Sequence, residues 1–197
     1  MLTTDVGREP AAHLGAQTCW SAAGVVSATT AVGVVAALVA RGSPAAATVA
    51  LALVAAAGAA VVDVRERRIP NRLVSVAAVP SVAFVAVAML SGGGRAVAVP
   101  SVVGAALLAG PILIVHLVDP AAMGFGDVKL AAVLGATVGL MDWRWALVAL
   151  CLASGGTSAV GLARRARDLP FAPGLVAASA CTMAVHAAMG GVSLTWR

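Results

Sequence analysis

The chain has 197 residues, of which 61% are hydrophobic and only 11% charged, against about 25% charged in an ordinary soluble domain. That balance excludes a water-soluble fold and predicts an all-α, polytopic transmembrane helical bundle, because apolar runs near the roughly 20 residues needed to cross a bilayer recur along the chain. The net charge of +5 does not imply nucleic acid, since the Lys and Arg residues sit in short connectors between apolar runs rather than along one soluble face.

Residues 1 to 18 read as a short polar head, and residues 19 to 197 as a single transmembrane domain of six or seven spans. The first span is predicted over Trp20 to Ala40; no small-x-small cleavage site precedes it, so it reads as retained. The second, Ala45 to Val62, follows the turn Arg41-Gly42-Ser43-Pro44. The third and fourth, Leu73 to Leu90 and Val97 to Val118, contain Pro80, Pro100 and Pro111 and are joined by a Gly-rich turn. A shorter fifth run, Leu130 to Met141, ends at Asp142-Trp143-Arg144-Trp145, whose tryptophans suit the headgroup level. The sixth and seventh are Ala146 to Ala163 and Phe171 to Met189.

Alternating these spans puts Arg8, Arg65, Arg67, Arg68, Arg72, Lys129, Arg164, Arg165 and Arg167 on one side, and Arg41, Arg95, Arg144 and Arg197 on the other. By the positive-inside rule the first side is cytoplasmic. The apolar residues are mostly Ala, Val, Leu and Gly, with no Tyr, so the helices are expected to be slim and to pack through small residues. Cys19, Cys151 and Cys181 lie apart in separate apolar runs without a C-x-x-C pair, which predicts small core residues and no disulfide, metal or cofactor site. His13 and His186 have no partner in sequence.

Two stretches carry chemistry. Asp63-Val64-Arg65-Glu66-Arg67-Arg68-Ile69-Pro70-Asn71 leaves the second span, and Gly124-Phe125-Gly126-Asp127-Val128-Lys129 enters the fifth. Two spans separate them, so both aspartates fall at the same membrane boundary. Two carboxylates close enough to share one proton make an aspartyl protease site: the ionised member activates water and the protonated one donates to the scissile carbonyl. Asp63 and Asp127 are the predicted catalytic pair. Gly124 and Gly126 are expected to supply positive φ and close approach, Pro70 to mark the turn into the third span, Asn71 to bond nearby backbone, and Lys129 to bias the local field or to snorkel. Each aspartate alone reads more often as a solvated helix cap or a partner of a neighbouring Arg, and it is the conjunction of both motifs on one predicted face that favours the pair. His116 could reach the pair or simply bridge helices, and Asp119, on the same loop as Asp127, is its main rival; Asp142 and Asp168 read as connector caps.

The pattern D-x6-P-N followed by G-x-G-D-x-K resembles the type IV prepilin peptidases, or leader peptidases, of the G-x-G-D aspartyl proteases. Lys129-Leu130-Ala131-Ala132 and Pro170-Phe171-Ala172-Pro173 look like the family as well, so the resemblance covers about Val54 to Leu175. It implies that Asp63 and Asp127 are catalytic, and that the substrate is a prepilin-like precursor whose short leader is removed at the cytoplasmic face of the plasma membrane. The substrate's apolar stem would then enter among the helices. Longer members carry paired C-x-x-C motifs and a methylating activity; before Asp63 there is only Cys19, so peptidase activity alone is expected. From another class, a small ion- or proton-coupled transporter would use the same two aspartates as ion sites between helices.

Overall fold

The structure is a computed structural model that describes residues 42, 44–66, 69–164 and 170–189. The head, the first predicted span, Cys19, His13 and Asp168 lie outside the described residues, as do Arg41, Arg67, Arg68, Arg165, Arg167 and Arg197. The described residues form six helices and no strand: α1 (Pro44–Glu66), α2 (Asn71–Leu90), α3 (Gly94–Val118), α4 (Phe125–Gly139), α5 (Arg144–Arg164) and α6 (Phe171–Ala188). Five of them, all but α4, are long and apolar enough to cross a membrane, so the chain is a helical, multi-pass membrane protein. The predicted second to seventh runs each correspond to one helix.

α4 is the exception and the centre. Its 15 residues give about 22 Å of helix, short of the ~30 Å hydrocarbon layer, yet it touches all five other helices. Leu130, Ala131, Leu134, Gly135, Thr137, Val138 and Gly139 are buried there. α1 and α6 are also largely inside, whereas α2, α3 and α5 show most of their surface outward, with Val79, Val82, Val102 and Leu162 among the exposed side chains. An outward apolar coat is what lipid requires.

The α3–α4 contact is the tightest, and its cause is the absence of side chains. Gly104 lies against Gly135 and Gly139, and a Cβ at Gly135 would also stand 2.8 Å from Leu108 Cβ and 2.9 Å from Ala105 Cα. Gly135-x-x-x-Gly139 thus works as a small-residue seam that brings two backbones together. Ser101 Oγ donates to the Ala136 carbonyl (3.1 Å), and Ser81 Oγ of α2 meets Thr137 Oγ1 (2.9 Å), which itself donates to Val133 O (2.8 Å). These bonds satisfy hydroxyls that lipid could not.

Two expectations fail here. Cys151 and Cys181 are exposed on α5 and α6, not core residues, because in a helix apolar all round the sequence does not say which side meets lipid. His186 is not isolated: its ring meets the Trp145 ring edge-on at 5.7 Å, joining the end of α6 to the start of α5.

Candidate active site

Asp63 is buried on α1, three residues before the helix ends at Glu66. Asp127 stands in the first turn of α4. The chain between them runs up α2 and down α3, so both acids come to one end of the bundle, close enough that the charge of Asp63 raises the pKa of Asp127. Asp127 reaches about 6 from 3.8, through burial first and Asp63 second, against a lowering by a hydrogen bond from the Gly124 backbone.

That last bond follows from where Asp127 sits. Gly124 is the N-cap of α4 and Asp127 the third helical residue, so the carboxylate folds back on the N-cap N–H while the Asp127 N–H donates to Gly124 O (3.0 Å). A Cβ at Gly124 would come within 3.3 Å of Asp127 Oδ2. The other oxygen, Oδ1, is buried and makes no hydrogen bond among the described residues. Among the described residues, Oδ1 is thus the oxygen left available to a proton, a water or a substrate carbonyl.

Two further contacts tie the motifs together. Lys129 Nζ donates to Asn71 Oδ1 (3.0 Å) and lies 4.8 Å above the centre of the Phe125 ring. A Cβ at Gly126 would meet Ile69 Cβ at 3.0 Å, so the connector that carries Asp63 into α2 passes directly over the α4 N-terminus. Pro70 is the N-cap residue of α2, with φ −66° and its carbonyl accepting from Leu73 N (3.0 Å).

The glycine expectation needs correcting in part. Gly42 and Gly92 are the positive-φ glycines among the described residues, and Gly124 has φ −70°. Gly126 serves close approach, not an unusual backbone. Asn71 accepts from Lys129, where a bond to neighbouring backbone was expected. Asp119 accepts from Ala121 N (3.0 Å) and Ala122 N (3.3 Å), and Asp142 from Arg144 N (2.9 Å); both shape turns. His116 contacts the loop before α4, with Nδ1 2.7 Å from Met123 O and its ring 5.4 Å from that of Phe125. The sequence offered no sign of that bond, since a backbone carbonyl seven residues on carries no residue-type signature.

Comparison with known families matches residues 48–162, more than half of the chain, to the type IV leader peptidase family. The chain belongs to that family. No curated protein and no solved structure matches it. Membership makes this leader peptidase a protease of prepilin-type precursors in general terms, and the matched segment spans both aspartate motifs.

Proposed function

We propose that this leader peptidase is an aspartic endopeptidase in which Asp63 and Asp127 share one proton. The observation that supports it most is that two carboxylates from different helices act on one another, one of them with a buried oxygen that makes no hydrogen bond among the described residues. Between its two macroscopic pKa values the pair holds a single proton. The ionised carboxylate takes a proton from the attacking water, and the protonated one donates to the scissile carbonyl oxygen. The tetrahedral intermediate then collapses as the leaving amine takes up a proton from the pair, which is restored for the next turnover. Gly124, Gly126, Pro70, Asn71 and Lys129 position the two acids, Gly124 through its N–H and the others by holding the connector against α4.

The substrate is a prepilin-like precursor, cut between its short leader and the apolar stem that follows, at the cytoplasmic face of the plasma membrane. Charge supports that face, since Arg72 and Lys129 share the end of the bundle that carries the acids. A reading as one helical domain is supported by the main apolar core, which draws on all six helices.

Co-expression with a pilin-like precursor, followed by gel mobility, tests the pair. Asp63→Asn and Asp127→Asn are each expected to lower processing by at least about a thousandfold. Processing that survives either change rejects the pair; an ion-flux defect with no processing by the intact protein would favour the transporter.

A further inference from the structure

Asp127 does not orient itself. Its anchored oxygen depends on the Gly124 N–H, and that N–H belongs to the same peptide unit as the Met123 carbonyl. The two groups are fixed in one plane and point in opposite directions across a trans bond. The Met123 carbonyl is held by His116 from the last turn of α3, at 2.7 Å. A carbonyl oxygen only accepts, so Nδ1 of His116 carries the hydrogen. The Phe125 ring lies 5.4 Å from the imidazole and 4.8 Å from Lys129 Nζ, which limits how far the ring and the peptide can turn.

We propose that His116 is a positioning residue for Asp127, acting through the Met123–Gly124 peptide. The bond fixes the peptide plane, and by polarising the carbonyl it strengthens the N–H at the other end as a donor. Without it the peptide is free to rotate, Asp127 Oδ2 loses its directed partner, and the carboxylate no longer presents Oδ1 in one orientation. His116 touches neither water nor scissile bond in this role. The proposal rests on the reading of Asp127 as catalytic only for its effect on cleavage; its effect on the Asp127 carboxyl is independent of that reading.

Among the described side chains, the charged and titratable groups at this end, on the elements packed against Asp127, are Asp63 on α1, Arg72 on α2, His116 and the following Asp119 at the end of α3, and Lys129 on α4 itself. A variant at 116 leaves the other four in place. His116→Phe keeps a ring against Phe125 and removes the donor, whereas His116→Asn keeps an N–H near the position of Nδ1.

The test titrates Asp127 by carboxyl ¹³C resonance in the full-length protein in detergent, assigned with Asp127→Asn, alongside precursor cleavage. His116→Phe is expected to raise the Asp127 midpoint by about half a unit to one unit, because a hydrogen bond to the charged form is weakened. It is also expected to lower kcat about tenfold with little change in KM, as misorientation does. His116→Asn should restore most of both. An unchanged midpoint in a folded His116→Phe protein overturns the proposal, and so does a shift that His116→Asn does not reverse. If Asp127→Asn still cleaves precursor while the midpoint moves as expected, the catalytic assignment fails and the His116 link stands.

Discussion

A carboxylic acid held at a pKa of about 6 costs folding energy whenever it is ionised. Asp127 is shifted upward in the folded protein, so the folded state binds a proton that the unfolded state releases. Its contribution to stability is therefore fully present below about pH 3.8 and is lost as pH rises through about 6. A shift of that size corresponds to about 3 kcal/mol between the two limits. Asp127→Asn is expected to melt at a higher temperature than the intact protein at pH 8 and at nearly the same temperature at pH 4. Parallel melting curves across that range would mean that burial and Asp63 do not act on Asp127. The two acids are legible in the sequence because each heads a motif with its own spacing. The roles of Asn71 and His116 are not, because both depend on which group a loop brings within 3 Å, and no residue pattern encodes that.

Among the elements, α4 is held by what its glycines lack. Gly135→Ala would drive a methyl into the Gly104 carbonyl and against Leu108, while Gly110, on α3, has nothing within 4 Å of an added Cβ. Gly135→Ala is expected to destabilise the bundle by about 1–3 kcal/mol, and Gly110→Ala to be neutral or to stabilise it by up to about 1 kcal/mol. Thermal unfolding in one detergent compares them, and equal effects would deny the close α3–α4 contact. Hydropathy locates these helices to within a few residues, since lipid demands long apolar runs. It does not say which face turns inward, because lipid and protein interior are equally apolar. Cys151 and Cys181 therefore face outward although their apolar runs predict core positions. The general expectation of packing through small residues is met at Gly135 and Gly139, spaced four apart against α3.

At the scale of the whole molecule, orientation is testable apart from catalysis. Ala121 is exposed beside the acids and Ser91 is exposed in the turn at the opposite end. In a background with Cys19, Cys151 and Cys181 replaced by Ser, Ala121→Cys is expected to react with a membrane-impermeant maleimide in inverted vesicles only, and Ser91→Cys in right-side-out vesicles only. The reverse pattern would move the acids to the other face. The shortness of α4 adds an asymmetry across the bilayer. Thr137 is level with Ser81, and Gly139 with Pro100, so at 1.5 Å per residue α4 stops about 10 Å before the ends of α2 and α3 on the side away from the acids. Asp142 and Arg144 follow at once, so a polar turn lies short of the level at which α2 and α3 end. A bilayer that follows the length of α4 is expected to be thin on that side, so lipids with short acyl chains should fit this protein better than long ones.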